Sequence, residues 1–170
     1  VAGPLAFTAG RMELHMRPVD ADLDVALRFA EFEPGMLLLP KGSLPPLTGY
    51  ADLSLKDGTT LLRDRNRNLH GSSFTVRRVE IGTQDRVLLT ATGTLAVDED
   101  GLIDADLILE TSDGAALAGV ISQAFPQSGE GVAAAIGTLS MLNASLRLPL
   151  TIRKGQAQLA VVNLGTIPPI

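Results

Sequence analysis

The acidic stretch DADLDVALRFAE is the first place where residue types and spacing could support chemistry. Asp20, Asp22, Asp24 and Glu31 stand at relative positions 1, 3, 5 and 12, which supply the ligands in a calcium-binding loop. Such a loop needs glycine at position 6 for its sharp turn, and Val25 stands there. Apolar and polar residues also alternate along the stretch, which is typical of a strand. We therefore interpret these carboxylates as the solvated face of a strand.

The two histidines, His15 and His70, are the other candidates for catalysis. His15 lies on the polar side of an alternating segment and is predicted to face Asp24, a pairing used in nucleophilic catalysis. No Gly-x-Ser-x-Gly elbow accompanies this pair, and His70 lies in a polar loop. Two histidines without cysteine argue against a catalytic transition-metal site, and no phosphate-binding glycine motif is present. The sequence therefore predicts no enzyme and no cofactor, with a histidine-dependent hydrolase as the minor alternative.

Composition narrows the function classes further. The 170 residues suggest one domain over residues 1–170. The net charge is −5, basic residues are scattered and aromatics make up 4%, which argues against a nucleic-acid partner. The hydrophobic fraction is 45% and the mean hydropathy is +0.24. Because so few of these hydrophobic residues are aromatic, most of them are aliphatic. Such a composition fits either a plain aliphatic core or a core with an open apolar groove beside it.

Strict alternation predicts the first hairpin. RMELHMR and DLDVALRF each read as a strand with one buried face. The residues between them, PVDA (18–21), are predicted to form a four-residue turn. This turn pairs Arg17 with Asp22 and His15 with Asp24, so that charges meet on one face while aliphatic side chains pack on the other.

Breaks in the alternation predict local irregularities. Phe32 breaks the parity of its strand, and the parity also changes at Arg77–Arg78, so a bulge or strand end is expected at each place. Gly93 inside a strand indicates a bend or a close backbone contact. KDGT (56–59) is predicted to be a tight turn. Pro149 lacks an N–H, so its strand is expected at a sheet edge, in a closing hairpin that pairs Leu150 with Leu159 and Leu148 with Val161.

After residue 111 the apolar spacing becomes that of helices. One helix is expected to start with Ser112 or Asp113 as its cap, and a second is expected at about 130–143. Their apolar stripes consist of Leu117, Val120, Ile121, Val132, Ile136, Leu139 and Leu142. These side chains either pack as core or line a cleft the size of an acyl chain between the helices and a sheet. The predicted fold is α+β and mostly β, a curved antiparallel sheet of hairpins with this helical pair (about 112–144) packed on one face.

The C-terminal part resembles a known family. The segment from LHGSSFTVRRVEIG to LIDADLILET, the Ala-rich helical pair and LRLPLTIRKGQAQLAVVNLGTIPPI together resemble domain of unknown function family 2125. A Gly-x-Leu-x-Val-Asp-x-x-Gly hairpin (93–101), a Leu-Pro-Leu strand, a charged-Gly turn and an Ile-Pro-Pro ending carry the resemblance over residues 69–170. The first hairpin (10–18) is similar as well. The family consists of alphaproteobacterial cell-envelope proteins, so the resemblance implies a periplasmic or envelope location and no known activity.

The resemblance also implies that the chain is the C-terminal portion of a longer envelope protein, with a signal or anchor absent from this chain. The function expected from the sequence is that of a non-enzymatic envelope protein that holds or passes a lipid or another apolar ligand. The alternative is a structural or interaction module without a small ligand, which pairs with another protein through exposed sheet edges.

Overall fold

A computed structural model describes residues 10–32, 46–63, 68–124, 131, 134, 136–138 and 145–170, with side chains described for all of these except residues 32 and 120–124. The strands are β1 (Arg11–Val19), β2 (Asp22–Phe32), β3 (Leu47–Leu55), β4 (Ser73–Gly82), β5 (Val87–Val97), β6 (Ile103–Thr111), β7 (Leu146–Arg153), β8 (Gln156–Leu159) and β9 (Val162–Thr166). The helices are α1 (Gly58–Arg63) and α2 (Gly114–Ala124). The predicted class, α+β and mostly β, is confirmed.

The nine strands form one curved antiparallel sheet that does not close. Their order in the sheet is their order in the chain, from β1 to β9, so each strand pairs with the strand before it and the strand after it. Within the described residues β1 and β9 are therefore the two edges of the sheet. Connections between sequence neighbours suit antiparallel pairing, which short turns can join.

The first hairpin forms, but its predicted register is wrong by two residues. β1 continues through Pro18 to Val19, and only Asp20 and Ala21 make the turn. Arg17 consequently pairs with Asp24 instead of Asp22. Asp20 adopts a positive φ of 56°, a conformation that tight hairpin turns require and that Asp tolerates better than most residues.

The predicted irregularities in the strands are confirmed. The pairing of β2 with β3 shifts between Phe29 and Phe32. In β4, Arg77 is an extra residue, because Val76 pairs with Leu53 while Arg78 pairs with the preceding residue, Asp52. Gly93 has a φ of +145°, and a β-carbon there would meet the backbone of β6. Bulges of this kind increase twist and bend a strand, which suits a curved sheet.

The segment KDGT does not make the expected tight turn on its own. Lys56 and Asp57 turn the chain, and Gly58 then begins α1. The helix begins beside the β1–β2 turn, where the Oγ1 of Thr59 donates to the carbonyl of Ala21 at 2.7 Å. Gly58 lies against Leu23, so close that a β-carbon at Gly58 would be 2.7 Å from the Leu23 β-carbon.

Pro149 does not lie on an edge strand as predicted, because β7 lies between β6 and β8. The carbonyl of Pro149 accepts a hydrogen bond from the N–H of Ala160 at 2.7 Å, and Ala160 lies just beyond the end of β8. The N–H that proline lacks would point to this same side, where β8 has ended, so no hydrogen bond of the β7–β8 ladder is lost. The predicted pairing of Leu150 with Leu159 is confirmed. The pairing of Leu148 with Val161 is wrong, because Val161 belongs to the turn into β9 and is 89% exposed.

Helix α2 follows β6 with the predicted cap. The Oδ1 of Asp113 accepts from the N–H of Ala116 at 2.9 Å, which satisfies one of the free donors at the helix start. Arg86 forms an ion pair with the same carboxylate. Of the described residues between α2 and β7, 131, 134 and 136–138 are helical, which agrees with a second helix in this region.

Candidate functional site

One face of the sheet carries only apolar residues over long rows of paired positions. The first row crosses all nine strands: Met16, Val25, Leu53, Val76, Gly93, Leu107, Leu150, Leu159 and Val162. A second row also crosses all nine: Pro18, Leu23, Leu55, Phe74, Leu95, Ala105, Ile152, Ala157 and Gly165. We call this side of the sheet the apolar face.

A third row crosses seven strands and is apolar throughout. It consists of Leu14, Leu27, Ala51, Val79, Ala91, Leu109 and Leu148. Side chains alternate between the two faces of a strand, so an apolar residue at every second position places the whole set on one side. The hydrophobic alternation of each strand therefore continues across the entire sheet.

The helical residues cover the part of the apolar face near β5 to β8. Leu117 from α2 and Ile136 form a buried cluster with Leu146 and Leu159. Leu89, Leu109, Leu148 and Leu150 of the sheet pack against this cluster. Ile136 is 2% exposed, so this part of the apolar face is a closed core.

Among the described residues, the part of the apolar face on β1 and on the adjoining middle of β2 is left open, whereas Leu23 and Leu55 are buried beside α1. Met12, Leu14 and Met16 on β1 are 58%, 53% and 52% exposed. Val25 and Leu27 beside them on β2 are only partly buried. Exposed apolar side chains that form a contiguous group, rather than scattered single residues, indicate a binding surface. We call this region, which consists of Met12, Leu14 and Met16 of β1 with Val25 and Leu27 of β2, the open apolar strip.

The seven side chains expected to line a cleft under the helices divide into two groups. Leu117 and Ile136 are buried together in the closed core. The side chains of Val120 and Ile121 in α2 lie outside the described part, as do the residues Val132, Leu139 and Leu142. A cleft beside these helices stays a prediction. The open apolar strip was not singled out from the sequence, although the alternation in RMELHMR and DLDVALRF contains its signal.

The opposite face carries a network of ion pairs. The Nη1 of Arg77 lies 2.7 Å from Asp24, and the Nε of Arg77 lies 2.8 Å from Asp52. Asp24 also accepts from Arg17 and from the hydroxyl of Ser54, each at 3.0 Å. Hydrogen bonds from Arg77 and Arg17 lower the pKa of Asp24 to about 2. Asp24 is held as an anion by these cations, which suits a structural role better than proton transfer.

His15 does not face Asp24, because the corrected register sets it opposite Ala26. An open pocket of about 400 Å³ lies over the ion-pair network, and His15 lines it together with Arg17 and Asp52. His70 lies elsewhere, where its Nε2 is 3.1 Å from the oxygen of Ile170. Neither histidine has the Ser and carboxylate partners of a nucleophilic triad among the hydrogen bonds of the described residues.

The acidic residues that resemble a calcium loop are separated by the fold. Asp20 is in the turn, Asp22 accepts from the N–H of Asp57 at 2.9 Å, and Asp24 belongs to the ion-pair network. Within the described ranges no group of three or more His, Asp or Glu side chains is arranged to hold a metal ion. In the same part of the chain, no helix has the length and apolar character needed to cross a membrane.

A curved, open antiparallel sheet with one apolar face is thus the class of architecture that the chain adopts. The family model described as "Uncharacterized protein conserved in bacteria (DUF2125)" matches residues 1–168, and the chain belongs to this family. The resemblance predicted from residues 69–170 and 10–18 is therefore confirmed. The match extends beyond those residues and covers essentially the whole chain. No curated protein and no solved structure gives a significant match.

Proposed function

We propose that the protein is a non-enzymatic cell-envelope protein that holds the acyl chain of a lipid on the open apolar strip. The observation that carries this proposal is the exposure of Met12, Leu14 and Met16 at the end of a face that three apolar rows cross. Leaving three such side chains more than half exposed costs free energy that a bound apolar chain recovers, at roughly 25 cal/mol per Å² of apolar surface removed from water.

The chemistry of the strip favours a flexible aliphatic ligand. Its side chains are those of Met, Leu and Val, and Phe29 lies beside them on β2, opposite Met12. Methionine is unbranched and adapts to irregular apolar shapes, which suits an acyl chain better than a flat ring. Walls lined by apolar residues with few polar groups are also typical of ligand sites.

The polar face supports the non-enzymatic part of the proposal. The carboxylates of Asp24 and Asp52 are engaged by Arg77. Asp106 is likewise paired with Arg153 at 2.6 Å. Carboxylates that are held in ion pairs with arginine are poorly placed to donate or accept a proton in a reaction.

Lipid extraction tests the proposal directly. The protein is expressed in a Gram-negative host, purified without detergent, extracted with chloroform and methanol, and the extract is analysed by mass spectrometry. Stripped protein is then titrated with cis-parinaric acid, whose fluorescence rises in an apolar site. We expect co-purified lipid and saturable binding of the probe. Protein that carries no lipid and leaves the probe fluorescence unchanged contradicts the proposal.

A second candidate function is that of an interaction module without a small ligand. The observation that favours it is the position of β1 at the edge of the sheet, where strand addition by another chain is available. Protein that is free of lipid but associates through β1 would support this function instead.

A further inference from the structure

Within the described ranges, no strand pairs with the outer side of β1, which therefore presents a regular set of backbone donors and acceptors. A two-residue hairpin turn is closed by a hydrogen-bonded pair, here Val19 with Asp22. Hydrogen-bonded and non-hydrogen-bonded pairs alternate along an antiparallel ladder, and the register of β1 with β2 is unbroken. The N–H and C=O groups of odd-numbered residues in β1 therefore face β2. Those of Met12, Leu14 and Met16 face outward, away from β2.

Two prolines agree with this alternation. The turn after β7 is closed by the pair Arg153 and Gln156. Alternation from this pair directs the carbonyl of Pro149 towards β8, and this carbonyl does accept a hydrogen bond from Ala160. In β1 the alternation directs the missing N–H of Pro18 to the open edge, where no bond of the ladder is lost. The outer edge of β1 thus offers three donors and four acceptors, from residues 12, 14, 16 and 18, to a partner strand.

We propose that β1 pairs antiparallel with β1 of a second copy of this chain, with His15 on the two-fold axis. This inference does not depend on the proposed lipid ligand. An isologous two-fold contact through an edge strand is self-complementary, because each copy supplies the same donors and acceptors to the other. We favour a second copy over an unrelated strand as the partner of β1, because the acidic and basic side chains of one β1 lie opposite those of the other in an antiparallel pair.

The charges select one register. Outward-facing residues must lie opposite outward-facing residues, which allows symmetric registers centred on Glu13, Leu14 or His15. The register centred on Glu13 sets that carboxylate against its own copy. The register centred on Leu14 sets Arg11 against the partner's Arg17. The register centred on His15 sets Glu13 against the partner's Arg17 twice, and it overlaps all nine residues of the strand.

The side chain of Arg17 is available for this contact, whereas Glu13 already forms an ion pair with Arg11 of its own strand and must share its carboxylate between Arg11 and the partner's Arg17. Arg17 bonds Asp24 through one nitrogen, and its side chain is still 77% exposed. On the opposite face, the same register sets Leu14 beside the partner's Met16 and Met12 beside the partner's Pro18. These are the most exposed residues of the open apolar strip, so pairing covers them in part. The apolar faces of both copies then join across the axis.

Cysteine scanning tests both the contact and its register, because the sequence has no cysteine. In the proposed register the two residues at position 15 form a non-hydrogen-bonded pair, with α-carbons about 4.5 Å apart, within the range that a disulfide spans. Position 13 lies about 14 Å from its own copy, since four residues separate them along the strand. We expect His15→Cys to cross-link rapidly under mild oxidation and Glu13→Cys to cross-link slowly.

Thr92→Cys, exposed on an interior strand, measures the rate of random collision. The doubly substituted Glu13→Cys, Arg17→Cys chain places two cysteines opposite each other in this register and is expected to cross-link faster than Glu13→Cys, even though it lacks the two charge pairs. If His15→Cys cross-links no faster than Thr92→Cys, or if Glu13→Cys is the faster of the two β1 variants, the proposed pairing is wrong. Mass spectrometry of the linked peptides identifies the residues joined.

Sedimentation equilibrium of the unlinked chain provides the second test. Glu13→Arg places like charges opposite each other twice, and we expect the dissociation constant to rise about tenfold. The double variant Glu13→Arg, Arg17→Glu restores both pairs with reversed sign, and we expect a dissociation constant within about threefold of the original. Circular dichroism checks that each variant keeps its strands. A wild-type chain that stays monomeric up to millimolar concentration overturns the proposal.

Discussion

Gly93 and Asp106 are so close that a β-carbon on Gly93 would stand 2.1 Å from the carbonyl oxygen of Asp106. The backbone at Gly93 also has a φ of +145°, a conformation that residues with a side chain rarely adopt. The two strands β5 and β6 approach each other here, in the row of apolar residues that crosses all nine strands. This contact is a point where the curvature of the sheet depends on one glycine.

Substituting this glycine is expected to destabilise the fold. Gly93→Ala must either strain the backbone or push β5 away from β6, and we expect a loss of about 3 kcal/mol in the free energy of unfolding. Urea unfolding followed by circular dichroism measures it. Gly119→Ala in α2 is the matched control, because a β-carbon there meets nothing within 4 Å. That variant is expected to gain about 0.5–1 kcal/mol, and equal losses in the two variants would contradict the argument.

Truncating the closed core is expected to cost more than truncating the open strip. Leu117 is 8% exposed and packs on Ile136, so Leu117→Ala leaves a cavity and should cost about 3 kcal/mol. Met12→Ala removes a side chain that is 58% exposed, and we expect a change within about 0.5 kcal/mol. Thermal unfolding at low protein concentration measures both. Similar losses for the two variants would show that the apolar face is equally closed at both ends.

The ion-pair network predicts a specific dependence on pH. The pKa of Asp24 is lowered from its ordinary 3.8 to about 2, first by the hydrogen bond from Arg77 and then by that from Arg17. A lowered pKa in the folded state stabilises the fold above the ordinary value, and this stabilisation is lost as the pH falls towards 2. Asp24→Asn removes the titrating group.

We expect the free energy of unfolding of the wild type to fall more steeply between pH 4 and pH 2 than that of Asp24→Asn. Other carboxylates titrate in the same range, so the quantity to compare is the difference between the two curves, measured by urea unfolding at each pH. Parallel curves would mean that Asp24 gains nothing from Arg77 and Arg17.

Binding of an acyl probe is expected to depend on one face of β2 and not on the other. Leu27 belongs to the open apolar strip, and Ala26 is the preceding residue on the polar face. We expect Leu27→Ser to weaken binding of cis-parinaric acid about tenfold, because several buried methylene contacts are lost. Ala26→Ser should leave binding unchanged. Cooperative unfolding of both variants confirms that they fold, and equal weakening would place the ligand elsewhere.

The strands were predictable from the sequence, but one register was not. The alternation of Met12, Leu14 and Met16 fixes which face of β1 is apolar, and every register shifted by two residues keeps that face. The choice between Asp22 and Asp24 as the partner of Arg17 depends on the turn instead. The ability of Asp20 to adopt a positive φ shortens the turn to two residues, and this preference is weaker than the hydrophobic pattern.

The candidate site was predictable only in part. Helical spacing correctly indicated that Leu117 faces the sheet, but hydrophobic periodicity does not show whether a buried side chain has a ligand or another side chain as its neighbour. The open apolar strip depends on which strands the helices cover. That is a property of the whole sheet, and the residues of a single strand such as β1 do not encode it.

The sheet order, in which every strand is paired with its neighbour in the chain, also determines how the molecule assembles and comes apart. Each added strand brings its contacts from nearby in sequence, so little loop entropy is lost per step and folding can advance hairpin by hairpin. In the opposite direction, β1 can detach while β4 to β7 remain intact, as terminal units do in repeat proteins. In a chain whose β1 is unpaired, the amide protons of β1 should therefore exchange with solvent faster than those of β6, which makes the edge that we propose for pairing also an easily remodelled strand of the sheet.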